Sequence, residues 1–240
     1  MSGTSFVEAT AGSLLDTETA AEIVALMSSL VEASISAEDA EATKQLLGRL
    51  SNGLPRNDDI IRVVMELFDE EMQSITNRPG SEASLFMLTQ CLRFIKSILA
   101  VFPERIWSFL GRSRLLAINE TTSAFATIVG ATEVPLGQFT FLRSCLDLFD
   151  GLVNDALKRT VSRNSVSTKS VARFAQPLAQ TGSTPEKLMS SVLSTFQMIL
   201  IDVFQSKANW RFNDPVESVQ IATSIPVSYT HLTLPTKRIV

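Results

Sequence analysis

IIRVVMELFDEEMQSITNRPGSEASLFMLTQCLRFIKSIL, residues 60 to 99, decides the fold class. Its first half places Ile60, Ile61, Val64, Leu67, Phe68, Met72 and Ile75 at the 3- and 4-residue spacings of one helix face, with Glu66, Asp69, Glu70 and Glu71 on the other. Asn57 is placed to cap this helix, and Asp58 and Asp59 sit at the positive end of its dipole. Ser81 then opens the next helix, through Leu85, Leu88, Leu92, Ile95 and Leu99. Phe102-Pro103 closes it, because proline disfavours helical geometry in the residue before it.

The same pattern extends outward in both directions. Towards the N-terminus, Ile23, Val24, Met27, Leu30 and Val31 form one apolar face, capped by Asp16 or Thr17. Ser36 and Asp39 then approximate a capping box for a shorter helix with Ala40, Leu46, Leu47 and Leu50, which Asn52-Gly53 is expected to end in a left-handed turn. Towards the C-terminus, Pro103 starts a short helix that Gly111 ends, and another fits Thr121 to Val129, followed by Gly130. Phe139, Leu142, Leu146, Phe149, Val153, Ala156 and Leu157 mark a long, strongly apolar helix. Thr184-Pro185 introduces a further one, with Leu188, Met189, Val192, Phe196, Ile199, Leu200 and Val203 covering more than half its circumference. The stripe centres Leu92, Ile95, Leu146, Phe149, Phe196 and Leu200 are predicted to be buried.

Two stretches depart from this pattern. Residues 160 to 184 are rich in Ser and Thr, carry Arg163, Lys169 and Arg173, and contain no acidic residue, so a basic mobile loop is expected over about 161–183. Asp214-Pro215-Val216-Glu217 announces a last helix, which Pro226 is expected to end. VSYTHLTLPTKRIV, residues 227–240, then has no helical period and reads as a non-native read-through tail. Residues 1–226 are accordingly read as a fragment of a longer helical protein.

The fold class that follows is all-α. Successive amphipathic helices joined mainly by short capped turns allow a closed bundle or a stack of helix pairs, and a pattern cut off in mid-helix favours the stack: an α-solenoid of degenerate HEAT-like helix pairs. Composition agrees, with 45% hydrophobic residues in 240 and only 19 Gly and Pro together.

Chemistry is sparse. His231 is the one histidine and lies in the suspect tail, which leaves the rest without histidine-based acid/base catalysis or His-ligated metal. Glycine-rich phosphate cradles are absent from the sequence. Asp147 and Asp150, at i and i+3, are read as a solvated strip, and Asp69-Glu70-Glu71 as a polar helix face. Met65, Met72, Met87, Met189 and Met198 are read as core, and Cys91 and Cys145 as reduced, small hydrophobes among apolar neighbours. The Asn119-Glu120-Thr121 glycosylation match is set aside, since no secretory signal is seen. The net charge of −4 argues against direct nucleic-acid binding. That charge is uneven, −10 over residues 1 to 155 (11 basic, 21 acidic) and +6 over the rest (10 basic, 4 acidic), but the basic cluster Lys158, Arg159, Arg163, Lys169 and Arg173 has only Phe174 as an aromatic companion. The sequence offers no run apolar enough to span a membrane. No catalytic, cofactor-binding or metal residue is assigned, and the partner-binding surface is left open.

FPERIWSFLGRSRLL (102 to 116), VGATEVPLGQFTFLRSCLDLFDGLVNDAL (129 to 157) and DVFQSKANWRFNDP (ending at Pro215) together resemble the large scaffold nucleoporins of the nuclear pore's inner ring, of the fungal 188 type. The resemblance spans roughly residues 40 to 225. It implies a structural, non-enzymatic role in a much longer solenoid at the nuclear envelope, supporting pore assembly and nucleocytoplasmic transport of protein and mRNA. Other nucleoporins, including a helical linker nucleoporin, are its implied partners, with no cofactor. The absence of any Phe-Gly dipeptide fits a scaffold rather than a barrier component. The alternative is a HEAT-repeat nuclear transport receptor or other helical adaptor.

Overall fold

A computed structural model describes residues 17–36, 40–55, 58–115, 124–163 and 211–233, with the side chains at 36, 153, 156–163 and 225–233 outside the description. Every regular element among the described residues is helical, and the fold is all-α and of helical-repeat type, as expected. The chain divides into two compact units, residues 1–102 and 103–240.

The first unit contains α1 (Thr17–Ser36), α2 (Ala40–Asn52), α3 (Ile60–Asn77) and α4 (Glu82–Ile98). The caps are local. Asp59 accepts from the Ile61 amide at 3.0 Å and so takes the N-cap of α3 that the sequence assigned to Asn57, which lies outside the described residues. Ser81 caps α4 as expected, accepting from the Ser84 amide at 3.2 Å. The helix end at Asn52 is also as expected, but Gly53 is not left-handed. Its N–H bonds back to the Arg49 and Leu50 carbonyls, which closes the last turn with helical-type bonds, and the positive-φ glycines among the described residues are Gly80 and Gly137.

Consecutive helices pair, α1 with α2 and α3 with α4, and α4 makes its most extensive packing with α1. Leu85, Leu88, Leu92, Ile95 and Leu99 are all buried, as are the seven apolar positions predicted for α3. α1 differs from the expectation. It buries Ala20, Ala21, Val24, Met27, Ser28 and Val31, while Ile23 and Leu30 turn outward, because the small residues let the backbone come close to α4 and fix the face. A hydroxyl pair between Ser34 and Thr43, 2.6 Å apart, ties α1 to α2. The Ser51 hydroxyl accepts from the Ile60 amide at 3.1 Å and joins the end of α2 to the start of α3.

The second unit contains α5 (Pro103–Leu110), α6 (Ala124–Ile128), a π-helical turn (Val129–Glu133), α7 (Val134–Leu136), α8 (Thr140–Arg163) and α9 (Pro215–Thr233). Gly130 does not end the helix expected to stop before it. The chain widens into the π turn, carries on through Pro135, and stops at Gly137, whose φ of 67° is left-handed. Phe125 sits between Phe141 and Phe149, each ring centroid 6.1 Å away, and these three rings with Leu142, Leu146 and Leu152 form the core against α8. The Trp107 indole N–H donates to Asp155 at 2.9 Å and fastens α5 to α8.

The last helix also corrects the sequence reading: it does not end at Pro226 but runs to Thr233. Proline lacks the N–H for the bond to the fourth carbonyl back, at a cost of about 3 kcal/mol in a helix interior, but its fixed φ is helical and the backbone passes through it. In the turn before it, the Thr223 and Ser224 hydroxyls bond to the Val219 and Gln220 carbonyls. Of the basic loop expected at about 161–183, residues 161–163 belong to α8 instead, and the remainder lies outside the described residues. So do the apolar helix from Thr184, with Phe196 and Leu200, and residues 234–240 of the suspect tail.

Candidate functional site

The most elaborate polar arrangement among the described residues is at the head of α8, where two carboxylates far apart in sequence meet the same turn. The residue before α8 is Phe139, which has no side-chain acceptor, so the first amides of the helix cannot be capped in the usual way. Glu133, on the π turn, supplies both acceptors instead: Oε1 takes the Phe141 amide at 2.7 Å and Oε2 the Leu142 amide at 2.9 Å. Glu217, in the first turn of α9, accepts from the Phe139 amide at 3.0 Å. Both glutamates are buried.

Four further contacts bind the start of α9 to this turn. Asn213 donates its backbone N–H to the Gly137 carbonyl at 2.9 Å and its side-chain amide to the Leu136 carbonyl at 2.9 Å. Arg143 donates to the Gln220 side-chain oxygen at 2.7 Å. The Phe139 and Phe212 rings lie 4.6 Å apart. The approach is so close at Gly137 that a Cβ there would stand 2.8 Å from the Arg211 carbonyl oxygen and 2.8 Å from Asn213 Oδ1.

Burial pushes the Glu133 carboxyl up to about 8, and the neighbouring Glu217 adds to the rise, against the opposing effect of the Leu142 and Phe141 amides. A carboxylate pair with one raised member can signal acid/base chemistry. Here each oxygen with an assigned partner is held by a backbone amide, so what the arrangement does is dock α9 onto the head of α8.

Sequence reasoning took Glu217 as an acidic residue of its own helix start and did not single out Glu133. The residues it did weigh fall elsewhere. Asp147 is exposed, whereas Asp150 is only half-buried, accepts from the Asn154 side-chain Nδ2 at 3.1 Å and keeps its Oδ1 away from solvent. The strip is therefore solvated at Asp147 and partly covered at Asp150. In Asp69-Glu70-Glu71 the central residue is exposed and its neighbours half-buried. Met65, Met72 and Met87 are core, as read; Met189 and Met198 lie outside the described residues. Cys91 and Cys145 are buried free thiols, and burial raises both well above the ordinary range. The basic cluster cannot be placed, because the side chains of Lys158, Arg159 and Arg163, and all of Lys169, Arg173 and Phe174, are outside the description. So is Asn119-Glu120-Thr121. Among the described residues no helix is long and apolar enough to cross a membrane.

Comparison with known proteins gives a consistent result. The family model described as nucleoporin Nup188, N-terminal subdomain III, matches residues 5–180. Nucleoporin NUP188 of Chaetomium thermophilum is 28% identical over 209 residues, covering 85% of this chain and 11% of the relative. Nucleoporin NUP188 of Saccharomyces cerevisiae is 23% identical over 206 residues, covering 83% of this chain and again 11% of the relative. The chain thus spans about a tenth of the length of the curated relatives it matches.

Proposed function

The chain belongs to the nucleoporin Nup188 family, and we propose that it serves as a helical scaffold segment of the nuclear pore complex at the nuclear envelope. The observation that carries this reading is the family match over residues 5–180, most of the chain, supported by two fungal relatives that are both nucleoporins. The physical character of the segment agrees with it. Its polar side chains are spent on capping and fastening helices, as at Glu133 and Glu217, which suits a part whose task is to hold shape.

In this reading the parent protein belongs to the inner ring, supports pore assembly and nucleocytoplasmic transport of protein and mRNA, and works through other nucleoporins, a helical linker among them. It needs no cofactor and catalyses no reaction. The proposed scaffold segment is residues 1–226. The test is affinity purification of the full-length parent under native conditions. Recovery with several nucleoporins in near-stoichiometric amounts supports the reading. Recovery alone, or only with cargo released by a nucleotide-loaded GTPase, contradicts it and returns the transport-receptor alternative.

A further inference from the structure

Helix α9 is lightly anchored. Among its described side chains, residues 215–224, the buried ones are Glu217 and Ile221. Two of its other fastenings, Asn213 to the Leu136 carbonyl and Arg143 to Gln220, lie at the surface, where water competes for each bond. One of its two inward contacts is therefore a carboxylate, and that carboxylate meets a second one at the same helical turn. Glu217 takes the Phe139 amide, and Glu133 takes the Phe141 and Leu142 amides. Two like charges held at one turn and away from water repel, and each also lacks hydration. The other groups around Glu133 do not neutralise the pair. From α8 come Cys145, which burial keeps as a neutral thiol, Arg143, which is directed to Gln220, and Asp147, which is exposed. Asp214, before α9, caps the Val216 amide, and α6 and α7 carry no charged residue.

We propose that this junction is a proton-operated latch: α9 stays docked while Glu133 carries a proton, and comes away from the head of α8 when Glu133 ionises beside Glu217. A protonated carboxyl still has lone pairs at both oxygens, so the Phe141 and Leu142 bonds survive proton uptake. Ionisation sets a second buried negative charge beside the first. Moving α9 relieves the repulsion, because that one step removes Glu217 and lets water reach Glu133, and of the buried apolar side chains described in α9 it gives up Ile221 alone. The state of the Glu133 carboxyl agrees: burial holds it up at about 8, the Leu142 and Phe141 amides oppose the rise, and Glu217 adds to it. With α9 away the group returns towards its ordinary 4.5, so undocking releases one proton. Docking therefore weakens by up to about tenfold for each pH unit between those two values. The latch is fully closed below about pH 4.5, and the effect is complete above about pH 8.

The experiment is hydrogen/deuterium exchange of the full-length parent at pH 6 and pH 8, with labelling times scaled for the intrinsic exchange rate. The expected result is a fall of at least about tenfold in the protection of amides 218–224, while amides 146–152 of α8 and 86–98 of α4 keep theirs. Glu133→Gln cannot titrate and should give amides 218–224 equal protection at both pH values. Glu217→Gln keeps an oxygen for the Phe139 amide but removes the charge, so it should raise protection at pH 8 several-fold over wild type and lessen the pH effect. Because that variant retains its bond, it decides the matter if Glu133→Gln fails to fold. Equal wild-type protection at both pH values, a loss shared by α8, a pH effect undiminished in Glu217→Gln, or one that persists in Glu133→Gln, would each overturn the latch.

Discussion

Replacing Glu133 tests how the second unit is held together. Glu133→Ala removes the carboxylate oxygens that accept from the Phe141 and Leu142 amides at a site closed to water. Each buried amide left unpaired costs roughly 1–3 kcal/mol, so the variant should lose about 2–6 kcal/mol. The pH dependence is more specific. The Glu133 carboxyl is pushed up from its ordinary 4.5 to about 8, chiefly by burial. The folded protein therefore holds a proton that the unfolded chain has released between these values. The group's contribution to stability is complete below about pH 4.5 and is lost as pH rises through about 8. At about 1.36 kcal/mol per pH unit, the loss across the window is on the order of 3–5 kcal/mol. Glu133→Gln cannot titrate and should flatten that slope. Urea unfolding at pH 5, 6.5 and 8 can be followed by tryptophan fluorescence, since Trp107 is buried in the second unit. A wild-type stability indifferent to pH across this range, or a Gln variant with the same slope as wild type, would refute the reasoning.

Other consequences are simpler to check. Leu92→Ala, Ile95→Ala, Leu146→Ala and Phe149→Ala, all at fully or almost fully buried positions, should each cost about 2–5 kcal/mol in chemical denaturation. Gly137→Ala combines a left-handed backbone with two contacts at 2.8 Å and should lower the thermal midpoint measurably, whereas Gly130→Ala, with open space around it, should not. Arg93→Ala breaks a two-bond pairing with Glu32, but both partners are well exposed, so the loss should stay below about 1 kcal/mol and shrink with added salt. Cys91 and Cys145 should resist a thiol reagent at pH 8 until urea opens the fold, because burial holds both as thiols.

What could be read from sequence was what local spacing determines. The α4 stripe, the Ser81 cap and the Pro103 start depend on residues within a turn or two of one another, and all three appear as expected. The facing of α1 was beyond such reasoning. Ile23-Val24 and Leu30-Val31 are adjacent pairs straddling the boundary of the apolar arc, so periodicity allows either member to point inward. Ala20, Ala21 and Ser28 decide it by admitting α4 closely. Pro226 misled because its penalty was read as a stop, when a helix can bear it. The junction at α8 was hidden for a different reason. Glu133 lies outside the helix it caps, beyond a π turn and a left-handed glycine, and Glu217 reaches an amide 78 residues away. No short-range pattern encodes either contact, although an uncappable Phe139 before a strong helix is a signal that some distant acceptor must exist.

The central claim, that this chain is a scaffold segment of a nucleoporin, is tested most directly by imaging the full-length parent, fluorescently tagged at its genomic locus, beside a marker of the pore. The account predicts a punctate rim at the nuclear envelope that coincides with the marker and photobleaches with slow recovery, as a fixed structural part should. A diffuse cytoplasmic or nucleoplasmic signal, or rapid exchange at the rim, would contradict it.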